Sequence, residues 1–205
     1  MKTEKETRVK LRMSAKKEFL EKGFRNASLR TICKNAGVTT GALYNFFRDK
    51  EELFASLVEP TWNELCQIIG KHFENEMDQS IGTAIPTEIS KEEDLRAMKE
   101  TVHYLYEHSE EIQLLISQSQ GSRFEHSIDQ MVKLCDGYYR RFSEQICIQN
   151  GLQSIDEYLI HWVAHMQVDV FIHLITHEES EQEAMNHVEV VYRYLVAGWM
   201  NMFHE

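Results

Sequence analysis

Apolar side chains recur every three or four residues along most of this 205-residue chain, and this period limits its fold more than any other feature. Leu11, Ala15 and Phe19, for example, are four apart among charged neighbours, which is the spacing of one face of an α-helix. Two prolines and nine glycines leave few places where a helix must end. No stretch of any length alternates as a half-buried strand would. The chain is therefore predicted to be all-α, with about nine helices.

Capping residues and glycines divide the apolar pattern into segments. The first four helices are predicted at residues 6–22, 28–37, 39–47 and 50–75, followed by a loop at 76–91 that holds Gly, Pro and small polar residues. The remaining five are predicted at 92–108, 110–119, 122–149, 154–178 and 180–203. The signals used are Gly23, Gly37 and Gly151 as stops, Ser28, Thr39 and Asp49 as N-caps, Pro60 as a kink, and a capping box from Ser154 to Glu157.

Charge is distributed unevenly along the chain. Residues 1–50 contain thirteen Lys and Arg against five Asp and Glu, a net charge of +8, whereas the rest contains nine against 28, a net charge of −19. All ten histidines lie in the acidic part. A basic head on an acidic body indicates a module that binds a polyanion, joined to a part that stays away from it.

Other sequence signals concern the cellular compartment. The first ten residues contain no apolar run typical of a signal peptide, and no stretch reaches 18 consecutive apolar residues. The four cysteines form no C-x-x-C pair and lie inside helical patterns, so they are predicted to be reduced and mostly buried. A cytoplasmic location is expected, with no cofactor.

The basic head contains a helix-turn-helix pattern at residues 28–47, in which a capped helix, a tight glycine turn and a short helix follow one another. Residues 28–53, "SLRTICKNAGVTTGALYNFFRDKEEL", closely resemble the DNA-binding signature of the TetR family of transcriptional repressors. Phe46 departs from it, since the family often has His there. The resemblance covers about residues 6–53, and the matching residues are Ala36, Gly37, Val38, Thr39, Thr40, Gly41, Tyr44, Phe47 and Lys50.

The resemblance implies a DNA-binding domain at residues 1–53 and a helical ligand-binding and dimerisation domain at 54–205. The start of a recognition helix meets the major groove, so Thr39 and Thr40 are candidates for base or phosphate contacts. Tyr44 and Lys50 can reach phosphates, while Asn and Arg can read adenine and guanine. Gly41 would allow either close approach to DNA or close packing of helices. The predicted DNA-binding residues are Ser28, Arg30, Thr39, Thr40, Gly41, Tyr44, Asn45 and Lys50.

The resemblance further implies a homodimer on a palindromic operator, which a small-molecule effector releases. The last two helices are unusually apolar, and a helix that is apolar all round must be buried on all sides. They are therefore predicted to pair with their copies in a second subunit. Helix faces that mix apolar and polar residues suggest a ligand pocket formed by Trp62, Cys66, Ile69, Tyr104, Phe124, Met131, Cys135, Tyr138, Met166 and Asp169.

A ladder of histidines marks the penultimate helix, where His161, His165, Asp169, His173 and His177 are each four residues apart. An i, i+4 pair can chelate zinc, but each step turns the face by about 40°, so at most His165, Asp169 and His173 could converge on one ion. There are three competing interpretations of the ladder. It could form a pH-responsive dimer interface, form the polar wall of a pocket for an anionic ligand, or consist of histidines that hydrogen-bond neighbouring helices. No metal site is predicted, with those three residues as the candidates if one exists.

Rival classes fit the sequence less well. A di-iron helical bundle needs two Glu-x-x-His motifs, and only Glu100 to His103 matches. A phosphate-binding glycine loop and a nucleophile elbow are both missing. The chain is therefore predicted not to be an enzyme but a ligand-responsive transcriptional regulator, most simply a repressor. A metal- or redox-responsive regulator of the same fold is the alternative.

Overall fold

The computed structural model describes residues 2–80 and 91–203, which contain nine α-helices and no strand. This confirms the predicted all-α fold and helix number. The helices are α1 (Lys2–Asn26), α2 (Leu29–Ala36), α3 (Thr40–Tyr44), α4 (Lys50–Ser80), α5 (Lys91–Glu107), α6 (Ser109–Ser117), α7 (Ser127–Asn150), α8 (Glu157–His177) and α9 (Glu181–Asn201).

Most of the predicted N-caps and helix stops lie where the sequence indicates. The Ser28 and Thr39 side chains cap α2 and α3, and the Asp49 carboxylate accepts a hydrogen bond from the amide of Glu52 at 2.8 Å. Gly37 and Gly151 follow α2 and α7 in the left-handed conformation, with φ of 69° and 67°. A residue without Cβ adopts this conformation at little cost, so these two stops are confirmed.

Several predicted boundaries are wrong. Helix α1 is interrupted at Gly23, with φ of 71°, but resumes and ends at Asn26, and α3 ends at Tyr44 rather than at 47. Helix α4 continues to Ser80, because "EMDQS" holds no Gly or Pro, so only residues 81–90 of the predicted loop lie outside the described residues. Helix α7 begins at Ser127 rather than 122, since hydrogen bonds among Ser119, Ser122 and Phe124 hold the preceding segment in turns. Asp156, not Ser154, caps α8 by accepting from the amide of Tyr158.

The helices form two compact units, one made of Met1–Glu64 with His108–Ser127 and the other of Leu65–Glu107 with Ile128–Glu205. In the first unit, α1 packs against α2 and α6. Its core is an aromatic cluster in which the ring of Phe54 lies 5.0 Å from Phe19, 5.2 Å from Phe24 and 6.2 Å from Phe124. The unit therefore extends beyond the predicted DNA-binding domain of residues 1–53, whose functional boundary stays a prediction.

The second unit is built on α5, α8 and α9. Its core cluster contains Met98, Val102, Leu174, Ala184, Val188 and Tyr192. Two hydroxyl groups connect its helices: Tyr106 donates to the Leu174 carbonyl at 3.0 Å, and Tyr192 donates to the Asp94 carboxylate at 3.2 Å. A second cluster joins α4, α7 and α9, where Phe73 stacks on Tyr138 and Tyr139 contacts Trp199.

Candidate functional site

The helix-turn-helix is held by local hydrogen bonds. The Ser28 hydroxyl accepts from the amide of Thr31 at 3.4 Å and begins α2, and the Val38 amide donates to the Cys33 carbonyl at 3.0 Å at its end. The Thr39 hydroxyl then accepts from the amide of Ala42 at 3.1 Å and begins α3. Caps and a glycine turn thus set the direction of α3 without any contribution from its outer face.

Helix α3 has one face in the core and one in solvent. Leu43 and Phe47 are completely or almost completely buried, whereas 57% of the Tyr44 side chain is exposed. The exposed residues on this face are Thr39, Thr40, Gly41, Tyr44 and Asn45. Five of the eight predicted DNA-binding residues therefore form one continuous outer surface, which we call the α3 face.

Gly41 lies on the α3 face in open space. A Cβ placed there would meet only the Thr39 hydroxyl, at 3.9 Å, which is ordinary contact, and its φ is not positive. Neither helix packing nor backbone conformation therefore requires glycine at this position. Close approach to DNA, the other predicted reason for a small residue here, stays a prediction.

Lys50 has its ammonium group directed into the fold. It donates to the carbonyls of Phe24, Arg25 and Ala27 at 2.7, 3.2 and 3.3 Å, and it lies 4.7 Å from the centre of the Phe24 ring. Burial lowers its pKa, and the charge of Glu51 opposes that shift. These bonds use the three donors of the ammonium, so the structure gives Lys50 a role as a C-cap of α1. A phosphate contact by Lys50 stays a prediction.

The remaining predicted head residues differ in exposure. Arg30 is exposed in the first turn of α2, and Ser28 is partly buried as the cap. Phe46, the departure from the family pattern, is partly buried too. Exposed cations that the sequence reasoning did not select, Lys34 and Arg48, lie in the same segment.

One residue that positions α2 was not predicted from the sequence. Glu18 is almost fully buried, and its carboxylate accepts from the Ser28 amide at 3.2 Å and from Lys22 at 3.1 Å. It thereby connects α1 to the start of α2. The i, i+4 pair of Glu18 and Lys22 was visible in the sequence, but nothing in the spacing indicates that the carboxylate turns inward.

The ten predicted pocket residues are divided between the two units, and their role as a ligand pocket stays a prediction. Phe124 belongs to the aromatic core of the first unit, where Trp62 also lies, and the other eight are in the second unit. Asp169 is exposed, whereas Tyr104, Met131 and Cys135 are buried. Burial raises the pKa of the Cys135 thiol to about 12 and also raises that of Cys66.

A cavity of about 500 Å³ lies between α4 and α5 of the second unit. None of the ten predicted pocket residues lines it. Its wall presents polar and apolar surface in nearly equal shares and consists of Ile68, Lys71, His72, Asn75, Glu76, Glu93, Asp94, Arg96, Ala97 and Glu100.

Three side chains of this cavity have ligand atoms within 4.8 Å of one another: His72, Glu76 and Asp94. Burial raises the pKa of Glu76 to about 8, with the nearby charge of Asp94 adding to the effect. Burial also raises the pKa of Asp94, against the hydrogen bond from Tyr192, and lowers the pKa of His72. In the described part of the chain, this is the one group of at least three such residues that could hold a metal ion.

The histidine ladder on α8 does not assemble into such a group. The rings of His161 and His165 are 4.7 Å apart and those of His173 and His177 are 4.0 Å apart, so the ladder forms pairs. Among the described residues, His165, Asp169 and His173 do not bring three ligand atoms together. His161 instead lies 3.3 Å from the Asp136 carboxylate.

The sequence similarity to known proteins is strongest in the basic head. Residues 13–57 match the family model of bacterial regulatory proteins of the tetR family. The regulator UidR of Escherichia coli (strain K12) is 36% identical over 52 residues, which cover 25% of this chain and 26% of that protein. The repressor BepR of Brucella suis biovar 1 (strain 1330) is 42% identical over 53 residues, covering 26% and 25%. The chain thus matches about a quarter of the length of these curated relatives.

Solved structures match the whole fold at low sequence identity. NalD, the secondary repressor of the MexAB-OprM multidrug efflux pump in Pseudomonas aeruginosa, has a TM-score of 0.60 at 16% identity and covers 97% of this chain and 98% of its own. FadR from Bacillus subtilis, in complex with stearoyl-CoA, has a TM-score of 0.53 at 15% identity, covering 93% and 98%. A gamma-butyrolactone receptor has a TM-score of 0.57 at 18% identity, covering 97% and 98%. At these identities the likeness concerns the fold.

Proposed function

We propose that this chain, which belongs to the tetR family of bacterial regulatory proteins, is a transcriptional repressor that binds a palindromic operator as a homodimer and leaves it when a small molecule binds. The observation that carries the proposal is the α3 face. It exposes Thr40, Gly41, Tyr44 and Asn45, while Leu43 of the same short helix and Phe47 just after it are buried in the core.

The chemistry of the α3 face suits a DNA groove. Asparagine can form two hydrogen bonds with adenine, and threonine can contact either phosphates or bases. Gly41 keeps the first turn of the helix small, so that the backbone can approach the base edges. Arg30, Lys34 and Arg48 add exposed positive charge to the same segment. Binding would therefore combine base contacts from α3 with salt-sensitive attraction to phosphates.

Dimerisation is proposed through α8 and α9. By length and composition, helix α8 is the one helix in the described residues apolar enough to cross a membrane, and only 22% of that apolar stretch is buried. Both helices expose large apolar side chains, which are Tyr158, Leu159, Trp162, Val190 and Tyr194. We call this set the α8–α9 patch. A second copy of the chain would cover it, and two heads related by two-fold symmetry would then meet two half-sites.

The effector is proposed to be a small organic molecule bound in the second unit. Solved relatives of the same fold include a gamma-butyrolactone receptor and a regulator in complex with stearoyl-CoA. A redox effector is less well supported, because burial raises the pKa of Cys33, Cys66 and Cys135 and keeps these thiols in the unreactive protonated form. With DNA as the partner, the cytoplasm is the proposed location.

Selection of duplexes from a random pool by the full-length protein tests this function. We expect enrichment of one inverted repeat, whose affinity falls steeply as salt rises because phosphate contacts release counterions. Screening compounds for release of that duplex then identifies the effector class. Enrichment of no sequence, together with binding that salt leaves unchanged, would refute the proposal.

A further inference from the structure

We propose that His72, Glu76 and Asp94 form a binding site for a divalent transition-metal ion of the Zn²⁺ or Mn²⁺ type in the second unit. The site is separate from the α3 face and does not depend on the proposed DNA binding. It is also separate from the histidine ladder of α8.

Two of the ligands share one face of α4. His72 and Glu76 are four residues apart, and their Nε2 and Oε1 atoms are separated by 3.7 Å. Asp94, in the first turn of α5, brings the third ligand atom within 4.8 Å of the other two. Zinc binds nitrogen and oxygen ligands at about 2.0–2.2 Å, which places neighbouring ligand atoms roughly 3–3.5 Å apart. A contraction of at most about 1–2 Å, within the reach of side-chain rotation, would therefore complete the site.

The ligand set selects the class of ion. Carboxylates alone suit Mg²⁺ and Ca²⁺, but an imidazole shifts the preference to first-row transition metals. One histidine and two carboxylates from two helices leave further coordination positions for water or another ligand. The cavity of about 500 Å³ beside them provides space for such a ligand and a path for the ion.

The two carboxyl groups of the proposed site are shielded from water and have no lysine or arginine partner in the described part of the chain. Asp94 is 7% exposed and the Glu76 side chain 19% exposed, so two neighbouring carboxylates are largely removed from water. Neither forms an ion pair with a lysine or arginine in the described part of the chain; their recorded partners are His72 and the Tyr192 hydroxyl. Charge on either group is unfavourable in this shielded position, and a bound divalent ion would neutralise both carboxylates.

Tyr192 of α9 forms a hydrogen bond with one of the proposed ligands. Its hydroxyl donates to Oδ2 of Asp94 at 3.2 Å, which orients the carboxylate and leaves its other oxygen for the ion. Hydrogen bonds of this kind around metal ligands fix ligand orientation, and their removal weakens metal binding. The proposed site therefore includes three ligands and, in Tyr192, a hydrogen-bond donor that orients one of them.

Calorimetric titration of the metal-stripped full-length protein with ZnCl₂, MnCl₂ and MgCl₂, without DNA, tests the proposal. We expect one Zn²⁺ or Mn²⁺ per chain at this site and no comparable Mg²⁺ binding. His72→Ala and Asp94→Asn should remove that binding event, and Tyr192→Phe should weaken it about 10–100-fold. Helix content from circular dichroism establishes that each variant is folded.

The matched control is the double variant His165→Ala/His173→Ala, which removes two ladder histidines and leaves the proposed ligands intact. This double variant should still bind one Zn²⁺ or Mn²⁺ per chain, whereas His72→Ala should not. Absence of binding by the wild-type protein, or loss in the ladder variant with retention in His72→Ala, would overturn the proposed site. Because no DNA is present, neither result bears on operator binding.

Discussion

The ammonium group of Lys50 at the start of α4 donates a hydrogen bond to the backbone carbonyl of Phe24 near the end of α1, at 2.7 Å. The same group bonds the carbonyls of Arg25 and Ala27. One side chain thus satisfies three carbonyls at the point where α1 ends and the helix-turn-helix begins.

Lys50→Ala should destabilise the head. Hydrogen bonds from a charged donor contribute roughly 1.5–3 kcal/mol, and we expect a loss of that order in the free energy of unfolding, measured by urea denaturation. Lys34→Ala, which removes an exposed lysine from α2, is the control and should change stability by less than about 0.5 kcal/mol. Equal stability of the two variants would contradict the capping role.

Gly41→Ala separates folding from DNA binding. Because open space surrounds the position, the substitution should leave stability unchanged or raise it by up to about 1 kcal/mol through helix propensity. Affinity for the selected duplex should nevertheless fall at all sequences, since the added methyl group keeps the backbone away from the groove. Fluorescence anisotropy measures the affinity. Gly37→Ala is the contrasting variant, because its φ of 69° predicts a loss of stability.

Asp136 connects α7 with α8 and predicts a pH effect. Burial opposes its ionisation, but the hydrogen bond and charge of Arg140 outweigh burial, so its pKa lies below the ordinary value of 3.8. A lowered pKa in the folded state contributes stability above about pH 4, and this stability is lost as the pH falls through the folded pKa. Asp136→Asn should cost about 1–2 kcal/mol at pH 7, and this cost should shrink as the pH falls below about 4.

Thermal unfolding across pH tests the Asp136 prediction. The control is Glu100→Gln, since Glu100 and Arg96 form an exposed pair at 3.9 Å that should contribute less than about 0.5 kcal/mol. A constant difference between Asp136→Asn and wild type from pH 7 to pH 3 would exclude the proposed ionisation effect.

The α8–α9 patch predicts the oligomeric state. Trp162 is 55% exposed, and a charge at its centre should prevent association of two copies, so Trp162→Glu should be monomeric in sedimentation experiments. Its affinity for the inverted repeat should fall, because each head alone meets one half-site. Met13→Glu replaces an exposed apolar residue in the other unit and should stay dimeric. A dimeric Trp162→Glu would exclude this surface as the interface.

The helix number, the caps and the helix-turn-helix could be predicted from the sequence because each depends on local chemistry. Ser28, Thr39 and Gly37 act within a few residues of their own positions, and their types indicate their roles. The inward direction of Glu18 and Lys50 depends instead on contacts between helices that are distant in the sequence. His72 and Asp94 are 22 positions apart, and only the packing of α4 against α5 brings them together.

The base preference of Asn45→Ala shows whether the α3 face contacts the bases of the operator. The affinities of wild type and variant are compared on the selected inverted repeat and on duplexes that change one base pair in each half-site. We predict that the variant loses discrimination at one symmetric pair of positions, by about 1–3 kcal/mol per contact, while Asn186→Ala on α9 keeps the wild-type pattern. An Asn45→Ala variant with unchanged affinity and unchanged preference at every position would contradict this prediction.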